Sequence, residues 1–218
     1  MNPKKFYFIF FPSVFIIIMW MSKGAEYFFD LDFKTFGIFP QKIEALKGII
    51  LTPFIHENFN HLLSNTFPFF FLSLAIFYFY RKQAYRVLIA CWFLTNFAVW
   101  LGGRFAWHIG ASGLVYAFAS FLFFAGILGK DRRFIAISLL VIFLYGGMIW
   151  GIFPGKINVS WESHLFGFLS GFIVAFYWGK QDLENPSDKV NVALDDFEYQ
   201  SNTSEEYNSI VYGMKEEE

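Results

Sequence analysis

Residues 105–129, FAWHIGASGLVYAFASFLFFAGILG, run for 25 positions without an Asp, Glu, Lys or Arg. A helix crossing the bilayer core needs about 17–25 apolar residues, so this stretch is long enough to span. Five other stretches share its character: 6–22, 58–80, 87–103, 134–155 and 163–179, with lengths of 17, 23, 17, 22 and 17. A helix satisfies its own backbone hydrogen bonds in lipid, as only a closed barrel otherwise does. The period-2 alternation of a barrel is missing from runs such as Phe69-Phe70-Phe71-Leu72. The expected fold is therefore all-α: a polytopic membrane protein with a six transmembrane helix bundle. The helices are expected at about 6–22, 58–80, 87–103, 110–129, 134–152 and 161–179, within one membrane domain over 1–179. Lys4 and Lys5 ahead of the first stretch also suit a signal peptide, but no small-x-small cleavage site follows cleanly, so it reads as a span.

The composition of the whole chain agrees. Of 218 residues, 56% are hydrophobic, 23% aromatic and 16% charged, and Phe alone occurs 33 times. An average soluble domain is about 25% charged. A soluble fold of this length could not hide so much apolar surface, and extended disorder is excluded on the same grounds. Cys91 is the single cysteine, which excludes a disulfide scaffold and leaves it as a small apolar side chain.

Charge is unevenly spread. Residues 1–179 hold 14 basic and 7 acidic residues, a net of +7, and residues 180–218 hold 3 and 11, a net of −8. The acidic segment 180–218 reads as a disordered cytoplasmic tail. Lys4, Lys5, Arg81, Lys82, Arg86, Lys130, Arg132, Arg133 and Lys180 fall on one side of the bundle. The short connections on the other side carry Arg104 and Lys156, and the long loop 23–57 balances its four lysines with five acids. Positive residues stay inside, so both termini are expected in the cytoplasm of a multi-pass cell-membrane protein. The 23–57 loop mixes Tyr27, Phe28, Phe29, Phe33 and Phe36 with charge, and is expected to lie partly in the membrane interface. No internal repeat suggests a transporter.

Polar groups at membrane depth are costly and point to function. They gather in three places: His56 to Asn65, Gly110 to Gly113, and His164. All three lie at the outer ends of the second, fourth and sixth helices, toward the non-cytoplasmic side. Ser112 stands between glycines at the opening of a helix. Small-residue helix packing is one reading of it. The other is a serine whose backbone N–H lies at the positive helix terminus, where a developing anion is stabilised. Gly110 permits an unusual turn just before it. Gly113 and Ala117 are four residues apart, which thins one helix flank. His164 shares a helical face with Gly167 and Gly171, at offsets of about 300° and 700°. A lone histidine is more often structural, but one within reach of a serine can activate its hydroxyl. No acid shares that face, since Glu162 points elsewhere; a Ser–His pair without an acidic third member is expected. His56 and His61 are five apart, about 140° around a helix, so no metal site is expected. His61 and Asn65 share a face and can both donate hydrogen bonds. Helix–helix bonding and oxyanion binding both remain open for them.

Taken together, these pieces resemble the rhomboid family of intramembrane serine proteases over about residues 6–179. The resemblance implies Ser112 as nucleophile and His164 as general base and acid. It implies His61, Asn65 and the Ser112 backbone N–H as the oxyanion site. His56 fills the place of a structural histidine, and Tyr116 that of an aromatic residue supporting the histidine ring. Gly110, Gly113, Gly167 and Gly171 are the supporting small residues. The family's Trp-Arg pair is absent from 23–57, which leaves open how that loop is anchored, and Ser163 replaces the usual alanine. The implied activity is cleavage of single-span transmembrane substrates within the outer leaflet, without metal or other cofactor and without nucleic acid. The bilayer is the other partner. The alternative is a non-catalytic rhomboid-like protein that binds membrane helices; such proteins typically lose the serine or the histidine, and both are present. A transporter or channel would need a polar path through the inner halves of the helices, which are nearly all Phe, Leu, Ile and Val. His108, four residues before Ser112, reads as a solvated or interfacial loop histidine whose replacement should leave most activity.

Overall fold

The computed structural model describes residues 7–129, 132–154 and 160–180. Lys4, Lys5, Lys130, Lys156 and the acidic tail beyond Lys180 lie outside the described residues, as do the expectations that rest on them. Among the described residues seven α-helices follow in order: α1 (Tyr7–Phe29), the short α2 (Gly48–Leu51), α3 (Phe59–Phe79), α4 (Ala84–Gly102), α5 (Ser112–Leu128), α6 (Arg132–Tyr145) and α7 (Trp161–Trp178). No strand occurs among the described residues; Ile38 and His108 form an isolated antiparallel bridge.

Among the described residues four segments are long and apolar enough to cross a membrane: Phe8–Phe29, Phe59–Phe79, Ala84–Gly102 and Ile135–Ile152. The apolar α5 is shorter, at 17 residues. The protein is thus a helical membrane protein. Phe71, Phe93, Leu139 and Phe143 are exposed, as lipid-facing side chains are.

Two boundaries differ most from the sequence reading. The first helix does not stop at residue 22 but continues to Phe29. Lys23 ends the apolar run without ending the helix, because its charge is met locally. It pairs with Glu26 at 3.1 Å and donates to the Glu57 carbonyl at 3.0 Å. The Glu26 carboxylate in turn accepts the Phe33 amide at 2.8 Å, which turns the chain out of the helix. The second difference lies in the helix expected over 134–152. Its α-helical part ends at Tyr145, and Gly146–Ile152 continues as a 3-10 helix. Gly146 and Gly147 weaken the α conformation there, and the tighter coil redirects the following carbonyls.

At the centre α5 packs on α7. A Cβ on Gly167 would collide with the Gly113 carbonyl, and one on Gly171 with the Ala117 carbonyl. The expected small faces therefore meet, backbone against backbone. Ser120 Oγ crosses the same seam to donate to the Phe168 carbonyl at 2.7 Å. On the other flank of α5, Ser138 Oγ donates to the Phe123 carbonyl at 2.8 Å and ties in α6. Aromatic packing joins α1, α3 and α5: Phe15 stacks on Phe69 at 4.3 Å between centroids, and Phe69 meets Phe118 at 5.6 Å.

The connection from α1 to α3 is ordered. It carries 3-10 turns at Lys34–Phe36, Ile43–Ala45 and Thr52–Phe54 around α2. In place of a Trp-Arg pair, α4 reaches up to hold it. Trp92 Nε1 and Asn96 Nδ2 both donate to the Ile49 carbonyl at 2.9 Å, and Trp100 Nε1 donates to the Lys42 carbonyl at 3.0 Å. Tyr27, Phe28 and Phe29 at the end of α1 and Phe36 in this connection are exposed, in keeping with an interfacial position.

Gly171→Ala should lower the thermal unfolding midpoint of the detergent-purified protein, because the new methyl meets a carbonyl that cannot retreat. A cost of about 1–3 kcal/mol is expected from overpacking. Gly24→Ala, where a Cβ meets nothing within 4 Å, should leave the midpoint unchanged or raise it. Equal midpoints for both variants would show that the seam is not as tight as described.

Candidate active site

Ser112 is the first residue of α5, so its amide has no partner within the helix. The chain reaches it through Gly110, whose φ of +107° is open to glycine but strained for other residues. A side chain there would also press on the His61 ring, at 2.8 Å from Cε1 and Nε2. This close approach is a second reason for glycine at that position. His164 lies in the first turn of α7, which is capped by Ser160 Oγ accepting the Ser163 amide at 3.3 Å.

The two side chains meet across the α5–α7 seam, with His164 Nε2 2.9 Å from Ser112 Oγ. Tautomer and direction follow from the other ring nitrogen. His164 Nδ1 lies 2.9 Å from the Gly151 carbonyl oxygen, which can only accept. Nδ1 therefore carries the proton, Nε2 is the acceptor, and the serine hydroxyl donates to it. The Tyr116 ring lies flat against the imidazole, with centroids 4.2 Å apart and planes 6° apart. The Tyr116 hydroxyl donates to the Met148 carbonyl at 2.7 Å. One 3-10 segment thus holds both the imidazole and the ring that supports it. Glu162 stays apart from this pair and faces Arg104, 3.4 Å from its Nε.

Ser112, His164, His61, Asn65 and Tyr116 line one cavity of about 940 Å³. Asn58 caps α3 by accepting the His61 amide at 2.9 Å, which orders the turn carrying His61. Asn65 Nδ2 donates to the His61 carbonyl at 3.1 Å, leaving the second amide hydrogen for another acceptor. His56 is buried, and its Nε2 accepts the Ala111 amide at 3.4 Å, so it supports the loop before the serine. Burial and the neighbouring His61 push His56 well below the ordinary imidazole value, which keeps it neutral and able to accept.

His108 requires a correction. It is not a solvated loop histidine but is 1% exposed, with Nδ1 2.5 Å from Ser160 Oγ and Nε2 3.0 Å from the Arg104 carbonyl. Burial holds it below the ordinary value too, against the opposing pulls of the Arg104 carbonyl and Glu162. Gly151, Met148 and Ser160 were not foreseen as parts of this site. The Gly146-Gly147 pair could have flagged the local change of coil, and Ser160-Trp161-Glu162-Ser163 a helix cap. No sequence signal reports where a carbonyl points.

Comparison with known proteins places this architecture. The chain matches a family model described as the Rhomboid domain over residues 44–181. Uncharacterized proteins of Mycobacterium tuberculosis (strain H37Rv) and Mycobacterium bovis are each 34% identical to it over 149 residues, covering 64% of this chain and 62% of theirs. A protein of Acanthamoeba polyphaga mimivirus, named for the rhomboid family, is 26% identical over 162 residues, covering 70% of this chain and 88% of its own length. The chain spans less than two thirds of the mycobacterial relatives' length, at 62%. The family match takes in α3 to α7 and with them every residue of the cavity just described from His61 onward. The chain belongs to the rhomboid family.

Proposed function

We propose that the protein is an intramembrane serine endopeptidase, acting on transmembrane segments of single-span proteins with a Ser112–His164 dyad. The observation that carries this reading is the 2.9 Å hydrogen bond from Ser112 Oγ to a His164 whose tautomer is set by the Gly151 carbonyl. A serine hydroxyl is a weak nucleophile until a base accepts its proton, and an oriented neutral imidazole is that base. In water-soluble triads an aspartate orients the histidine. A neutral carbonyl does so here without the cost of burying a carboxylate at membrane depth.

In the proposed reaction a substrate helix unwinds locally at the cavity, and Ser112 attacks the scissile carbonyl carbon. His164 takes the serine proton at Nε2 and later delivers it to the leaving amine. The oxyanion is held by the Ser112 amide, the spare Asn65 amide hydrogen and His61. Water then enters the polar mouth of the cavity, loses a proton to His164 and releases the acyl group from Ser112. The positive-inside reading puts both termini in the cytoplasm and this mouth on the outer side, with six helices crossing and the cut made within the outer leaflet of the cell membrane. The non-catalytic reading has less support, because its usual loss of the serine or histidine is not seen.

A fluorescent fluorophosphonate should label the purified wild type, while Ser112→Ala and His164→Ala should remain unlabelled. A folded wild type that does not label would defeat the proposal. Asn65→Ala should lower kcat on a single-span substrate by about 10²–10³, the usual cost of one oxyanion donor; an unchanged kcat would remove Asn65 from the oxyanion site. Reporter fusions at either end of the chain should both read cytoplasmic, and opposite readings would refute an even number of crossings.

A further inference from the structure

Two residues outside the dyad stand at the same offset from its two members. His108 precedes Ser112 by four positions, and Ser160 precedes His164 by four. These two are themselves hydrogen-bonded, with His108 Nδ1 2.5 Å from Ser160 Oγ. The direction is determined. The Arg104 carbonyl, 3.0 Å from Nε2, can only accept, so Nε2 carries the proton and Nδ1 accepts from the Ser160 hydroxyl. The lone pairs of Ser160 Oγ are then free to take the Ser163 amide at 3.3 Å and the Ser163 hydroxyl at 2.6 Å. One serine thus caps α7 and ties that cap to the loop leading into α5.

The His108 end is held rigidly. Its amide donates to the Ile38 carbonyl at 2.8 Å, and its carbonyl accepts the Ile38 amide at 3.0 Å and the Thr52 hydroxyl at 3.3 Å. Two residues on, the Gly110 amide donates to the Thr52 carbonyl at 3.0 Å. From this post one arm runs through the pinned loop to Ser112, and the other runs through one turn of α7 to His164. The dyad bond closes the ring. The glycine seam alone would not fix the dyad, because a helix lying on a small-residue face can still slide or rotate. A second tie at the helix end removes that freedom.

We infer that His108 is a positioning residue, whose hydrogen bond to Ser160 sets the gap between Ser112 and His164. The inference rests on the protease reading above. Because His108 acts through the bond and not on the substrate, the rate of serine acylation should depend on it while substrate affinity should not. A displacement of about 1 Å can cost on the order of 100-fold in rate.

The test uses the full chain, purified and reconstituted, with the rate of labelling by a fluorescent fluorophosphonate and kcat and KM on a single-span substrate as readouts. His108→Ala and Ser160→Ala should each slow labelling by on the order of 100-fold, with kcat reduced and KM little changed. The double variant should be no slower than the slower of the two single ones, because both remove the same bond. His108→Asn, whose side-chain oxygen can stand where Nδ1 does, should recover most of the loss. It also covers the case in which the alanine variant fails to fold. Wild-type rates in folded single variants, losses that multiply in the double variant, or a folded His108→Asn no faster than His108→Ala would each overturn the role of His108 alone. A folded wild type that does not label would overturn the protease reading, and this role with it.

Discussion

Everything in the site depends on how closely two backbones approach. Gly167 and Gly171 of α7 lie against the carbonyls of Gly113 and Ala117 of α5, with no room for even one methyl between them. In lipid, apolar side chains gain little by leaving the solvent, so close van der Waals contact and interhelical hydrogen bonds must hold helices together. The small residues supply the contact, and the bond from Ser120 to the Phe168 carbonyl adds to it. This approach also brings the side chains at the two helix starts within hydrogen-bond reach. A bulkier seam would separate the helices and leave Ser112 and His164 as two unrelated polar residues.

The second constraint is electrostatic. Charge at membrane depth is expensive, yet the proposed reaction needs an imidazole held in one tautomer. The protein meets both demands with backbone groups. The Gly146–Ile152 coil presents the Gly151 carbonyl to His164 and the Met148 carbonyl to Tyr116. Neither carbonyl needs a counter-ion, and each satisfies a donor that burial would otherwise leave unpaired. The tighter 3-10 coil turns these carbonyls in directions that a continued α-helix would not give them. His56 follows the same economy, serving the loop before the serine as a neutral acceptor.

The long loop between α1 and α3 shows how a common device can be replaced. Its anchors come from α4, where Trp92, Asn96 and Trp100 donate to loop carbonyls. Each indole places a large apolar body among the helices and one donor at the polar edge, which suits a residue at the membrane boundary. The loop then braces the segment before Ser112 through Ile38 and Thr52. Loop and site are therefore mechanically one structure, although they are far apart in the chain.

Much of this was legible in the amino-acid order. Charge-free runs marked the helices, because hydrocarbon tolerates neither unpaired backbone nor stray charge. The α5–α7 seam was legible in Gly113, Ala117, Gly167 and Gly171, since helical spacing alone puts each pair on one face. The convergence of Ser112, His164, His61 and Asn65 on one cavity followed from their shared helix ends. Helix limits were less legible where local pairing or glycine overrode hydropathy, as at Lys23 and Gly146. What only the tertiary structure decided is where backbone carbonyls point and which distant side chains find each other. The Gly151 carbonyl, the tie between His108 and Ser160 and the α4 anchors of the loop all depend on loop dihedrals and long-range packing. Hydropathy and spacing report which face a residue occupies, but a hydrogen bond between residues 52 positions apart is chosen by the folded chain.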